Sequence, residues 1–279
     1  MSFSIVTPSY RNSEWLKLCV ASVADQGVTL EHIVQDAGSD DGTLDWLQTD
    51  PRVTGRVEKD AGMYDAINRG LARAHGDLLA YLNCDEQYLP GALKAVEDFF
   101  AVNPTVDVLF ADFIVVDPDG QYLFHRKVQT PLKYHLWVSH LPAFSCAMFF
   151  RRRLVSDHGI LFNPQLRDVG DGDWVLRLLQ RGIRMAVLRR FVSVFTLSGA
   201  NMSVGANARR ETQAMHASAP SWVKGLKPVW ILHHRLRRFC GGIYFQQPFS
   251  FSLYTRQSQH QRVVRQVEHP AFRWRTLRD

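Results

Sequence analysis

At 279 residues, with 46% apolar and 22% charged side chains, the chain has the make-up of a globular protein with a sizeable core. Its formal net charge of +6 is uneven: residues 220–279 hold 11 Lys/Arg against 2 Asp/Glu, and residues 1–219 hold 22 against 25. No run of about 18 apolar residues is present, which argues against a membrane span. The four cysteines form no C-x-x-C pair, so neither a zinc knuckle nor a disulfide framework is expected.

The chain enters a strand at once, Phe3–Thr7, without the basic and apolar regions of a signal peptide, and free thiols in a reducing cytoplasm are expected. Pro8-Ser9 ends that strand, and Ser13 is placed to cap a helix over Glu14–Gln26. His32–Gln35 reads as a second strand, followed by an Asx- and Gly-rich turn and a short helix to Leu47 that Thr43 can cap. A third strand lies near Val53–Glu58. A helix over Tyr64–Ala74 follows, with Gly76 as its expected stop. Leu78–Asn83 is a fourth strand, Pro90 opens a helix to about Val102, and Val106–Ala111 is a fifth strand. This alternation predicts an α/β fold, a mainly parallel sheet with helices on both faces. Phe113–Val116 and Gln121–Lys127 flank Asp117-Pro118-Asp119-Gly120, a hairpin signal. A strand at Ala147–Phe150, a helix over Asp171–Gly182 and extended pieces at Met185–Leu188 and Phe191–Leu197 come next. Residues 206–240 read as helical and basic, with breaks near Pro220 and Pro228. The last forty residues show little pattern. A boundary near 219 divides a sheet domain (1–219) from a basic, aromatic extension (220–279).

Three of the early strands run into a carboxylate: Asp36, Asp60 and Asp85. In an open α/β sheet the carboxyl ends of the strands form the rim where ligands bind. Three acids on one rim repel one another unless a cation, a sugar hydroxyl or a base N–H satisfies them. Asp36 can accept from a base N–H or a ribose hydroxyl, or it can simply belong to an Asx-rich surface turn. Asp85, beside Asn83, Cys84 and Glu86, offers the hard oxygen that Mg²⁺ or Mn²⁺ takes next to a diphosphate. Asp171 and Asp173 open a later helix. There they suit the helix dipole, and a carboxylate facing the rim could serve as a general base.

Four blocks then stand in order: Ser4-Ile5-Val6-Thr7-Pro8-Ser9-Tyr10, His32 through Thr43, Asp60 through Gly70, and Leu82-Asn83-Cys84-Asp85-Glu86. Together they resemble the family 2 glycosyltransferases of bacterial polysaccharide synthesis, which have the GT-A fold, over about residues 3–200. The resemblance implies that Thr7, Pro8 and Tyr10 line a nucleotide-base pocket, that Asp36 holds the base, and that Asp60 and Asn68 stand beside the nucleoside and donor. Asn83-Cys84-Asp85 takes the place of the family's Asp-X-Asp, with Asp85 as ligand of a divalent cation (Mn²⁺ or Mg²⁺). Gly170-Asp171 stands where the family often has Glu-Asp, which implies Asp171 as general base and Asp173 as its competitor. Ser139-His140 resembles an element near the acceptor side. Two departures stand out: Asn83 replaces the first acid of the metal motif, and Gly170 replaces the Glu.

The resemblance implies an inverting transfer of a sugar from a nucleotide-sugar donor to a hydroxyl of a glycan or polyprenyl-linked acceptor. The alternative, from a different class, is a nucleotide-sugar-binding partner of a glycan assembly complex that has lost catalysis. The aromatic and basic residues between Trp222 and Phe239 suit an anionic membrane surface, and equally a solvated basic face packed on the sheet domain. A peripheral location at the inner face of the cell membrane follows from the first of these. Nucleic acid is not expected, for want of any recognised binding module. G-x-G-x-x-G and G-x-x-x-x-G-K-[ST] are both missing, which argues against a dehydrogenase and a P-loop enzyme.

Overall fold

The structure, a computed structural model, describes residues 1–198 and 205–272. Four strands, β1 (Phe3–Ser9), β2 (Leu30–Asp36), β3 (Thr54–Val57) and β4 (Leu78–Tyr81), run parallel in the order β3-β2-β1-β4. They alternate with α1 (Ser13–Ala24), α2 (Leu44–Leu47) and α3 (Met63–Ala72). Strands β1 and β4 are buried along their whole length, as central parallel strands covered on both faces should be, whereas edge strand β3 alternates. Because all four point the same way, the loops that follow them emerge along one edge.

Beyond β4 the sheet turns mixed. After β5 (Glu86–Tyr88) and α4 (Ala92–Val102) come β6 (Val108–Val116), β7 (Tyr122–Arg126), α5 (Lys133–Val138) and β8 (Met148–Arg151). α6 (Arg153–Ser156), α7 (Gly170–Gln180) and β9 (Met185–Thr196) follow. The order continues β4-β8-β6-β9-β5, with β7 on β6. β8 inserts antiparallel between β4 and β6, so the expected fifth parallel strand is not a neighbour of the fourth. The chain then forms α8 (Ala206–Ala217), α9 (Ser221–Gly225), α10 (Lys227–Cys240) and an antiparallel hairpin of β10 (Phe249–Thr255) and β11 (Ser258–Val267).

Several local expectations change. The pieces at 106–111 and 113–116 are one strand, β6, and those at 185–188 and 191–197 are one strand, β9. The register of β6 on β9 slips on either side of Asp112, where Leu188 pairs with Ala111 and Phe191 with Asp112. Buried Asp112 accepts from Arg189 Nη1 and from the Val128 N–H, both at 2.7 Å. Two polar breaks in sequence are thus one bulge closed by one ion pair. Neither Ser13 nor Thr43 caps a helix with its side chain. Asp41 serves both, accepting from the Ser13 N–H at 2.9 Å and the Thr43 hydroxyl at 2.6 Å. Gly76 does not cap α3, which ends at Ala72. A Cβ at Gly76 would lie 2.5 Å from the backbone of Phe3, so the glycine serves the close crossing of two segments. The final hairpin adds strand structure to an extension expected to be helical.

The main core joins α1, α3, α4, α5 and α7 to the sheet through residues such as Val23, Ile67, Phe100, Leu136 and Trp174. A second cluster seats the hairpin: Phe251, Leu253 and Val267 pack with Leu89, Ile114, Val116 and Val194. Gln87 exchanges two 2.9 Å bonds with the backbone of Tyr254 there, and Arg262 pairs with Asp25 at 2.6 Å.

Candidate active site

A cavity of about 810 Å³ opens along the edge where the parallel strands end. Each strand contributes through its last residues or following loop: Pro8 and Tyr10 from β1, Ala37 from β2, Asp60 from β3, Asn83 to Asp85 from β4. The rest of the lining comes from the Ser139–Ser145 segment after α5, the start of α7 with Asp171, and Thr212 and Met215 of α8. Of the expected residues, Pro8, Tyr10, Asp60, Asn83, Cys84, Asp85, His140 and Asp171 are brought together here.

Four expected residues are not on this lining. The Thr7 hydroxyl is buried and bonded to His32 Nε2 at 2.9 Å. Asp36 is fully buried, and both its oxygens are engaged: Oδ1 accepts the Gly38 and Ser39 N–H groups at 2.9 and 2.7 Å, and Oδ2 accepts the Ser39 hydroxyl at 2.8 Å. Ser39 in turn accepts from the Arg11 N–H at 2.8 Å, so Asp36 shapes the loop beneath Tyr10 and Ala37 instead of facing the cavity. Asn68 uses its whole amide on the backbone of Phe162, at 2.8 and 3.0 Å, tying α3 to the segment ahead of α7. Asp173 accepts from Arg177 Nε at 2.8 Å on the flank of α7.

The metal-motif block is desolvated. Burial pushes the Asp85 carboxyl up to about 6. Glu86 is buried and raised to about 8 by burial and by the neighbouring Asp85, and it accepts the Asn83 N–H at 2.8 Å. Asn83 Oδ1 is buried with no hydrogen-bond partner. An unpartnered amide oxygen two residues before a desolvated carboxylate offers two hard donors of the kind Mg²⁺ or Mn²⁺ takes. Among the described residues no three His, Cys, Asp or Glu side chains converge to hold a metal by themselves. Cys84 lies between them, its thiol pushed up to about 12 by burial and accepting from Asn12 Nδ2 at 2.9 Å.

Asp171 stands at the first turn of α7. Burial raises its carboxyl to about 6, against the downward pull of the Gly172 N–H, which donates to Oδ1 at 2.8 Å. The helix is anchored three residues on by Trp174, fully buried, stacked on Phe162 at 4.9 Å and donating from Nε1 to the Ile160 carbonyl at 2.9 Å. Tyr64 stacks on the other side of Phe162 at 5.7 Å, and its hydroxyl accepts the Asp171 N–H at 3.2 Å.

Three contributors are not evident from the sequence. Tyr64 fills the space a side chain at 170 would need: a Cβ there would sit 2.5 Å from the ring, which accounts for Gly170. Glu211 of α8 accepts the backbone N–H groups of Arg167, Asp168 and Val169 at 2.9, 3.0 and 3.1 Å, fixing the loop that leads into Asp171. His216, one turn further, bonds to the Ser139 carbonyl at 2.7 Å and ties α8 to the segment after α5. An acid seven residues past the six undescribed positions carries no local signal of such a role.

The family model described as "Glycosyl transferase family 2" matches residues 4–159. The PGL/p-HBAD biosynthesis glycosyltransferase of Mycobacterium bovis (strain BCG / Pasteur 1173P2) is 28% identical over 207 residues, 70% of this chain and 75% of that protein. Among solved structures, S. aureus TarS 1–349 in complex with UDP-GlcNAc aligns with a TM-score of 0.62 at 18% identity, over 88% of this chain and 76% of that one. This chain spans 44% of a longer TarS chain. The mannosyltransferase PcManGT from Pyrobaculum calidifontis, in complex with GDP-Man and Mn²⁺, aligns at 0.55 and 19% identity, over 84% and 69%. At these identities the structural likeness speaks to the fold, a GT-A arrangement.

Proposed function

Because the chain belongs to glycosyl transferase family 2, we propose that this glycosyltransferase moves a sugar, with inversion, from a nucleoside-diphosphate donor to a hydroxyl of a lipid-linked or polysaccharide acceptor. The observation that carries the reading is one cavity lined by two desolvated carboxylates, Asp85 after β4 and Asp171 on α7. The donor would lie against Pro8, Tyr10 and Asp60. Asp85 and Asn83 Oδ1 would hold a divalent cation, which when bound offsets the charge that builds on the departing diphosphate. PcManGT with GDP-Man and Mn²⁺ supports such a site by likeness of fold.

The acceptor oxygen attacks the anomeric carbon from the face opposite the diphosphate. The new C–O bond forms as the bond to the diphosphate oxygen breaks, and the hydroxyl proton passes to the Asp171 carboxylate. The ion pair of Asp173 with Arg177 favours Asp171 as the base. Residues 1–219 would carry the transfer, and residues 220–279 would hold the enzyme at the inner face of the membrane. Among the described residues no helix is long and apolar enough to cross a membrane.

The test is release of free nucleoside diphosphate from a panel of UDP-, GDP- and TDP-sugars with Mn²⁺ and acceptor. Asp171→Asn is expected to cut turnover by roughly 10²–10⁴-fold, the usual worth of a general base, while donor binding persists. An unchanged rate would remove Asp171 from that role.

A further inference from the structure

Helix α10 turns an apolar stripe outward. Val229, Leu232, Leu236 and Phe239 are 51%, 59%, 54% and 60% exposed. At 100° per residue they fall within a sector of about 80° on one side of the helix. The other side is the one that packs: His234 is buried and stacks on His135 of α5 at 3.9 Å, and Trp230 stacks on Tyr134 at 4.8 Å. Exposed Leu226 lies at one end of the stripe. At the other, exposed Phe245 lies 6.2 Å from Phe239, ring to ring.

The charge around this stripe has one sign. Between Pro220 and Val267 there is no Asp or Glu, while α10 alone carries Lys227, Arg235, Arg237 and Arg238. An exposed apolar sector flanked only by cations matches a bilayer interface, where acyl chains take the stripe and anionic headgroups take the cations. A second copy of this chain fits it poorly. A twofold contact across the stripe would bring the Arg235 side chains of the two copies together with no acid nearby to offset them.

We propose that α10 lies in the headgroup plane of an anionic bilayer with Leu232, Leu236 and Phe239 inserted, and that this docking presents the cavity to an acceptor held in the membrane. The second half rests on the transfer reading above. It draws on the path of the chain: α5, against which α10 packs, runs directly into Ser139 and His140 on the cavity wall.

The test is co-sedimentation of the full chain and of a Leu232→Glu/Leu236→Glu variant with vesicles of phosphatidylcholine alone or mixed with phosphatidylglycerol. The wild type is expected to pellet with the anionic vesicles, less so as salt rises. The variant's partition should fall on the order of tenfold per leucine. Nucleoside diphosphate release with a water-soluble acceptor is expected to be the same for both proteins, because the two leucines are exposed and away from the cavity. Equal pelleting of the two proteins overturns the proposal. So does a concentration-dependent dimer in light scattering that the variant abolishes, since a second copy would then cover the face. Absence of transfer by both proteins, with the wild type pelleting and the variant not, would sink the transfer reading and leave the docking standing.

Discussion

Asp171 and Asp85 owe their raised pKa values to the same cause, loss of water, yet the chemistry asked of them differs. A base must be ionised before it can take a proton. With its carboxyl at about 6, Asp171 is mostly ionised at neutral pH and still basic enough to accept. The sign follows directly: lowering the pH through about 6 protonates Asp171 and removes the active form. The kcat profile is therefore expected to fall about tenfold per pH unit below that point, and Asp171→Asn should lack this limb. Asp85 titrates in the same range when free. The profile is best taken at saturating Mn²⁺, where a bound cation keeps that carboxylate ionised. A flat wild-type profile between pH 5 and 7 would count against Asp171. Gly170 shows how a neighbour decides a residue: the Tyr64 ring occupies the volume that the more usual Glu would need.

The element that aims the proposed base is α8 as much as α7. Its Glu211 takes three successive backbone N–H groups just ahead of α7, and Asn207 on the turn before donates to Asp168 at 2.9 Å. Burial works against the Glu211 charge, but those N–H groups outweigh it and hold its carboxyl below the usual range. Glu211→Gln keeps an acceptor and loses the charge, so a loss of about 1 kcal/mol in stability is expected. The larger effect should be on kcat, since the proposed donor contacts belong to the loops after β1, β3 and β4. Thermal denaturation together with steady-state kinetics would check this, and an equal rise in KM with no change in kcat would contradict it. The caps follow the same logic: one carboxylate, Asp41, orders the start of α2 from two residues before Thr43 and the start of α1 from 28 residues after Ser13.

For the whole molecule, ligand linkage is the readout. Anything that binds only the folded state stabilises it, by about 2.7 kcal/mol at a hundredfold excess over Kd. A matching donor with Mn²⁺ is expected to raise Tm, and Asp85→Ala should remove the Mn²⁺-dependent part while leaving the metal-free shift. A Tm that still responds to Mn²⁺ in that variant would move the cation elsewhere. What the sequence determined by itself is the parallel half of the sheet and most of the rim. There each strand and helix is a local pattern, the apolar run ends where the loop begins, and Asp60 and Asp85 follow from that ending. The basic imbalance of residues 220–279 was equally plain, because charge is additive along a chain. Tertiary structure alone decided which polar groups find partners distant in sequence. It closed Asp112 on Arg189, turning four predicted strand pieces into β6 and β9. It engaged Asn68 with the Phe162 backbone 94 residues on, whereas Asp36 and Asp173 found their partners within four residues, and it left Asp171 on the cavity lining. It also packed one side of α10 on α5, so that the other side, with its leucines, is turned to solvent. A buried polar atom must be satisfied by whatever the fold brings near it, and that neighbour is usually far away in sequence.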